Sequence, residues 1–319
     1  MDLNPENPGF YDKEALKEET LRVFDICNSC RLCFFYCGSF PYLFDALDRK
    51  DQDVKRLSDD EISKVEELCF QCKICYFECP YHPPHKYMLD FPRLILRLAW
   101  ANARSEGVKL NDTLLGATET LGKIGSLFPF AMNLANRSRV LRNLSGALTG
   151  IHPDRKLPEF RFITFERWWN RRERERENDV SSGHGHAEKK AALFYTCTVN
   201  YNRPETGIAA VKVLEHNGVR VAAPRQRCCG MPRLDGGDVA AALEQVRENT
   251  MNLIPYVNQG YDIIGLGPTC TYMLKFEYRE LFPCEETEKI AERTFDICEY
   301  LMKLDAAGGL KRDFRKGAG

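Results

Sequence analysis

The chain of 319 residues lacks the features that would place it in several large classes. No stretch approaches the roughly 20 consecutive apolar residues that a membrane-crossing helix requires. The opening segment, MDLNPENPGFYDKEALKEE, is acidic and has no apolar run of the kind a secretory leader carries. A cytoplasmic location is therefore expected. There is no bias of charge: 45 Lys and Arg face 46 Asp and Glu, for a net charge of -1. Bulk attraction to nucleic acid is not implied, and no nucleic-acid partner is expected. Neither a GxGxxG turn, nor a P-loop, nor a Ser/His/Asp arrangement can be found. Any flavin or nicotinamide would have to sit on a partner.

Cysteine, by contrast, is plentiful, with 14 in the chain. A chain of this length can build a core without disulfide staples, and the cytosol keeps thiols reduced. Cysteine here points to metal binding or redox chemistry. Cys27, Cys30, Cys33 and Cys37 follow the spacing C-x2-C-x2-C-x3-C, and Cys69, Cys72, Cys75 and Cys79 repeat it, with Pro80 next. Three cysteines two residues apart can wrap three corners of an iron–sulfur cube from one loop. The fourth then reaches the neighbouring cube. The expected sets are Cys27, Cys30, Cys33 and Cys79 for one [4Fe–4S] cluster, and Cys69, Cys72, Cys75 and Cys37 for the other. Zinc held by CxxC pairs is the alternative, but such sites use two separated pairs rather than this run. Gly38 stands where the first run would carry proline, and still permits a turn. Two such cubes would lie roughly 10–12 Å apart, in electron-tunnelling range. The sequence between the motifs contains Ser58-Asp59-Asp60-Glu61, a capping box that predicts a helix leading into Cys69.

A second cysteine group lies toward the C-terminus. The stretches 191–196, 219–224 and 261–267 read as strands, and 204–217, 237–258 and 271–281 as helices, the grammar of a parallel sheet. Residues 286–305 read as one further helix. Cys197, the Cys228-Cys229-Gly230-Met231-Pro232 turn and Cys270 each follow a predicted strand. The carboxyl ends of parallel strands gather on one edge, where ligands bind. The four thiols are expected to form a third metal site or a redox-active thiol site; ordinary buried cysteines are the plainer alternative. Cys284 and Cys298 fit no spacing and read as structural.

The expected organisation is an α+β multidomain chain. An α-helical ferredoxin-like domain with two clusters spans 1–100, and an amphipathic helical segment spans 101–160. A linker covers 161–190, and an α/β domain with a parallel sheet covers 191–319. In the middle segment Leu110, Leu114, Leu121, Ile124 and Phe128 recur at helical spacing, as do Leu134, Leu141, Leu144 and Leu148, with Pro129 between the runs.

The segments CNSCRLCFFYC, CFQCKICYFECP, YTCTVNYNRPE, RCCGMP and GPTCTYM together resemble the heterodisulfide-reductase-related iron–sulfur proteins, over nearly the whole chain. That group includes the C subunit of anaerobic glycerol-3-phosphate dehydrogenase, and the likeness is to a variant often encoded beside rubrerythrin-like proteins. The resemblance implies an electron-transfer subunit of an oxidoreductase complex. A flavoprotein or ferredoxin would supply it, and quinone or another acceptor would drain it, with a rubrerythrin-like protein as a further candidate partner. It also implies that Cys197, Cys228, Cys229 and Cys270 belong to a CCG domain. The family motif ends C-x-x-C, whereas Met273 stands here in CTYM, which favours four ligands or fewer. Relatives carry two CCG domains and this chain carries one. A disulfide reductase of heterodisulfide-reductase type, acting at the CCG cysteines, is the alternative function.

Smaller features complete the reading. Residues 100–172 carry 12 Lys and Arg against 6 Asp and Glu, and Trp168 and Trp169 lie beside Arg167, Arg171 and Arg172. A basic amphipathic segment with tryptophan can rest on an anionic membrane, which would place the protein peripherally on the inner face. The alternative packs the apolar faces into a core. His82 and His85, just after Cys79, are candidates for tuning a cluster through hydrogen bonds. His184 and His186 fall in the linker.

Overall fold

The computed structural model describes residue 5 and residues 7–178 and 189–313. They divide into two units: Met1–Lys109 with Arg233–Val239, and Leu110–Pro232 with Ala240–Gly319.

The first unit is helical. Its main elements are α1 (Lys13–Cys30), α2 (Ser39–Asp48), α3 (Asp59–Glu67), α4 (Ile74–Phe77) and α5 (Phe91–Glu106). Asp12 starts α1 by accepting the backbone N–H groups of Glu14 and Ala15. The predicted capping box opens α3, with Ser58 and Glu61 satisfying one another's backbone donors. Two orphan amides are thereby paired at each start, which stabilises a short helix by about 1 kcal/mol. The apolar faces bury Phe24, Phe40, Phe44, Leu47 and Leu94 in one core. Six cysteines lie partly buried against it: Cys27, Cys33, Cys37, Cys69, Cys75 and Cys79. Residues 233–239 close the unit, and the buried indole of Trp100 donates to the Leu234 carbonyl at 2.9 Å.

The second unit begins with α6 (Leu110–Gly116), α7 (Thr118–Leu127), α8 (Pro129–Arg137), α9 (Arg139–Thr149) and α10 (Phe165–Asn178). There follow β1 (Lys189–Phe194), α11 (Cys197–Tyr201), α12 (Pro204–His216) and β2 (Val219–Ala222). Next come α13 (Met231–Asp235, shared with the first unit), α14 (Val239–Asn258), β3 (Asp262–Gly265) and α15 (Pro268–Tyr272). The chain finishes with α16 (Tyr278–Leu281), α17 (Glu285–Glu292), β4 (Thr294–Asp296) and α18 (Ile297–Ala306). The sheet is wholly parallel, in the order β2-β1-β3-β4. The three anticipated strands are present. The segment read as one helix over 286–305 is instead helix, strand, helix. Thr294 pairs with Ile263, and Asp296 caps the next helix by accepting the Cys298 N–H. A strand of three residues is too short to leave a period in sequence; its pairing partner decides it.

Two segments behave differently from the expectation for 101–190. Within the segment 101–160, expected to be helical, residues 110–149 form α6 to α9 and group with the sheet-containing unit. Gly122 allows this. A Cβ there would stand 2.2 Å from the Tyr201 ring, so only glycine lets α7 approach α11. Residues 165–178, read as linker, form α10, which buries Phe165 and Trp169 in the core with Leu193, Val211 and Leu214. The tryptophans serve that core: Phe165 and Trp168 pack at 5.6 Å, and the Arg172 guanidinium lies over both indoles. The outer faces of α6 to α9 remain exposed, with Leu110 at 65%, Phe130 at 83% and Val140 at 77%. Among the described residues no helix is long and apolar enough to cross a membrane. His184 and His186 lie outside the described residues.

Candidate iron–sulfur and thiol sites

The N-terminal cysteines lie on two loops of similar backbone. Helix α1 ends at Cys30, and Arg31 then turns left-handed, with φ 52°. Lys73, at the equivalent place after Cys72, does the same with φ 60°. A non-glycine residue there costs energy, and the surrounding structure must hold it. Arg31 is held by its guanidinium, which donates to the Asn28 side chain at 2.7 Å and to Asp48 at 2.5 Å. The turn folds the third cysteine back beside the first two.

The sulfurs then sort across the two loops. A common void is lined by Cys27, Cys30, Cys33 and Cys79, with Phe40 and Phe44 in its apolar wall. Around Cys27 the charged neighbours are Cys33, Cys79 and Cys30. Cys69 instead feels Cys37 and Cys72, and Cys75 feels Cys33, Cys69, Cys37 and Cys72. The fourth cysteine of each run thus stands with the three of the other. Burial and the neighbouring sulfurs push Cys27, Cys33, Cys69, Cys75 and Cys79 up, Cys33 to about 12 and Cys69 to about 11. Four thiolates cannot share such a space without positive charge between them, and iron supplies it. The donor set, its apolar wall and its shared void fit a cluster.

Backbone amides tune the rim. The Tyr81 N–H donates to the Cys79 sulfur at 3.4 Å, and the His82 backbone N–H also reaches it. The His82 ring packs against Tyr76 at 5.3 Å, and His85 Nδ1 accepts the Tyr87 N–H at 3.2 Å. Cys30 and Cys72 are exposed.

In the second unit Cys197, Cys228, Cys229 and Cys270 do gather at the carboxyl edge of the sheet. They form a row: the Cys197 thiol hydrogen-bonds Cys228, Cys228 bonds Cys229, and Cys229 bonds Cys270. Hydrogen bonds from Cys197 and Cys229 hold Cys228 well below the usual thiol range, while burial and the same contacts push Cys197 and Cys229 up. Met273, where the family motif has its last cysteine, is fully buried, with its methyl beside Gly230. Thr196, just before Cys197, has φ 56° and ψ 156°, a strained turn that ends β1 and starts α11. Gly230, at φ 99°, releases the chain after Cys229.

Sequence reading missed the residues that clamp this loop. Glu119 of α7 accepts the Cys228 N–H and takes the Arg227 guanidinium at 2.7 Å. Thr118 Oγ1 lies 3.6 Å from Cys197 Sγ. From the other side, Asn249 Nδ2 donates to the Cys228 carbonyl at 3.0 Å, and the Tyr278 hydroxyl donates to the Cys229 carbonyl at 3.1 Å. Only the helical period of α7 hinted at these contacts. The Cys284 amide donates to Thr287 at 3.2 Å in a helix cap.

Comparison with known proteins agrees with this division. Residues 20–105 match the model of the citrate utilization protein B Fer4-like domain, and residues 191–275 match the cysteine-rich CCG domain. The C subunit of anaerobic glycerol-3-phosphate dehydrogenase from Escherichia coli K12 is 29% identical over 189 residues, covering 59% of this chain and 46% of that protein. Lactate utilization protein A of Geobacillus kaustophilus is 30% identical over 121 residues, covering 36% of this chain and 48% of the relative. That of Bacillus pumilus is 28% identical over the same length. The chain spans about half the length of the curated relatives it matches. No solved structure matches it. The chain therefore carries an iron–sulfur Fer4-like domain followed by a CCG cysteine-rich domain, and it is similar to the C subunit of anaerobic glycerol-3-phosphate dehydrogenase.

Proposed function

We propose that the chain is an electron-transfer subunit whose N-terminal unit holds two [4Fe–4S] clusters. Cys27, Cys30, Cys33 and Cys79 would hold one, and Cys69, Cys72, Cys75 and Cys37 the other. The observation that carries this is the void shared by Cys27, Cys30, Cys33 and Cys79, in which a cysteine from the second loop joins three from the first. Such clusters, when bound, pass single electrons. The chain's own residues fix the two sulfur sets against one core, exclude water with Phe40 and Phe44, and leave Cys30 and Cys72 open toward a partner. A flavoprotein or ferredoxin donor is proposed from the similarity to proteins of dehydrogenase and lactate-utilization systems. Quinone or another acceptor completes the reading, with the CCG cysteines as the exit.

The test is an iron and sulfide count on the full chain prepared without oxygen. About eight irons per chain are expected from two four-iron clusters. A chain that stays free of iron after reconstitution with ferrous salt and sulfide defeats the proposal. The peripheral membrane reading rests on the exposed apolar faces of α6 to α9. Flotation with anionic vesicles at low salt checks it, and a chain that stays in the bottom fraction ends it.

A second reading is favoured by the contact between thiols at the CCG turn. Cysteines that touch one another can exchange with disulfides, so reduction of a disulfide substrate at Cys197 and Cys228 is the alternative.

A further inference from the structure

The two N-terminal cysteine loops share their spacing but not their backbone. In the first, α1 runs through Cys27 and Ser29 to Cys30. In the second, α3 ends at Glu67, so Cys69, Phe70 and Gln71 stand outside any helix. Gln71 holds the place that Ser29 holds in the first loop, two residues after the leading cysteine. Both loops turn left-handed after their second cysteine, at Arg31 and at Lys73. The second loop turns left-handed once more, at Gln71, with φ 49°. Ser29 is helical and exposed, so that extra turn has no counterpart in the first loop.

The Gln71 side chain reaches a candidate ligand. Its amide nitrogen donates to the Cys69 sulfur at 3.6 Å and to the Pro92 carbonyl at 3.2 Å. Sulfur and carbonyl are both acceptors here, so the nitrogen end of the amide must face them. The oxygen end, Oε1, is buried and accepts no hydrogen bond among the described residues. Two costs thus fall on one residue: a left-handed backbone without glycine, and a buried acceptor left unpaired. What they secure is a donor beside a sulfur that iron would hold as an anion. Cys79, in the other set, takes a donor from the Tyr81 backbone, which any residue but proline would supply. The donor on Cys69 belongs to a side chain, so the choice of residue decides whether it is there.

We propose that Gln71 is a potential-setting residue, whose side-chain amide raises the reduction potential of the cluster held by Cys37, Cys69, Cys72 and Cys75. The inference rests on the two-cluster reading of this unit. A one-electron reduction adds one negative charge to the set of sulfurs and iron. An N–H aimed at a ligand sulfur stabilises the more negative state further than the less negative one, so the electron is accepted at a higher potential. No covalent bond changes and no proton moves; the donor protein, or dithionite in a test, gives up one electron. A tether between the loop and α5 through Pro92 is the plainer role for Gln71, and it would hold the loop without moving a potential.

The experiment uses the full chain, reconstituted without oxygen with ferrous salt and sulfide and titrated with dithionite under EPR. In Gln71→Leu one midpoint should fall by about 59 mV, a tenfold change in the ratio of reduced to oxidised cluster for a one-electron couple. Iron should stay at about eight per chain. The fall should persist when Cys27→Ser is added and vanish when Cys69→Ser is added, which assigns it to the second set. Ser29→Ala should move neither midpoint. Gln71→Met, of similar length and without a donor, should repeat the effect of Gln71→Leu. Midpoints that stay or rise in both variants, with iron retained, overturn the inference. So does a loss of about four irons in both, which would mark Gln71 as a tether the loop cannot do without. A wild-type chain that takes up no iron ends the two-cluster reading and this inference with it, whereas unmoved midpoints in an iron-loaded chain end this inference alone.

Discussion

The two cysteine-rich regions are built from the same residue in opposite arrangements. In the first unit, eight sulfurs stand on the rims of two helical loops, and four of them face a common void. In the second, four sulfurs lie at strand ends and touch one another in a row. The first arrangement sets thiols around a void, where burial raises Cys27, Cys33, Cys69, Cys75 and Cys79, and leaves the charge to be balanced by something placed between them. The second lets one thiol stabilise the anion of the next. Sulfur chemistry thus depends less on how many cysteines meet than on what the backbone leaves between them.

The largest effect should come from the loops themselves. Cys27→Ser is expected to remove about half of the bound iron, and Cys69→Ser the other half, since each serves a different set. Absorbance near ~400 nm and iron analysis would read it. Equal losses of all iron from either variant would mean that the two sets are not separate. Cys229→Ser, in contrast, should leave the iron content of the chain unchanged, and a loss there would erase the distinction between the regions.

Next in size is Glu119→Ala. It strips the acceptor from the Cys228 amide and leaves Arg227 with Glu248 as its remaining carboxylate, at a cost of about 1–3 kcal/mol. Thermal unfolding should show the loss, and the rate of Cys228 alkylation should change, while iron in the first unit stays constant. Gly122→Ala should cost about 1–3 kcal/mol through its clash with Tyr201. A silent outcome would mean that α7 does not need its close approach to α11.

The smallest expected effect is a pH dependence of the first unit. Glu66 of α3 is pushed up to about 7 by burial, against an ordinary value of 4.5, although Asn102 donates to it at 2.7 Å. Below pH 4.5 it is protonated whether folded or not. Between 4.5 and 7 the folded chain holds an extra proton, so stability falls as pH rises through that window. The loss is on the order of 1–2 kcal/mol after allowance for solvent screening. Glu66→Gln should flatten denaturant midpoints measured from about pH 5 to about 7.5, across that window. An unchanged slope would place the carboxylate in water.

How much of this was legible varies with the distance over which a residue acts. The capping box at Ser58 acts within four residues, and it appears where the sequence placed it. The three strands that precede Cys197, Cys228 and Cys270 also appear, since buried apolar runs mark them. The strand Thr294–Asp296 was not legible, because three residues carry no period and only pairing with Ile263 and Ile264 creates it. The tryptophans were read for their amphipathic surroundings, yet Trp169 is buried, because β1 and α12 offer α10 an apolar face. Thr118 and Glu119 sit more than a hundred residues before Cys228, on a helix that sequence reading kept apart from the sheet.

The sequence by itself determined that sulfur dominates this chain, that two loops present it at iron–sulfur spacing, and that a third group follows three strands. Those facts are local, fixed by intervals of two and three residues and by short apolar runs. Tertiary structure alone decided which sulfurs share a space and that the CCG thiols touch. Such outcomes depend on side chains from α7, α14 and α16 meeting one loop, and contacts across such separations leave no trace in the spacing of the residues that make them.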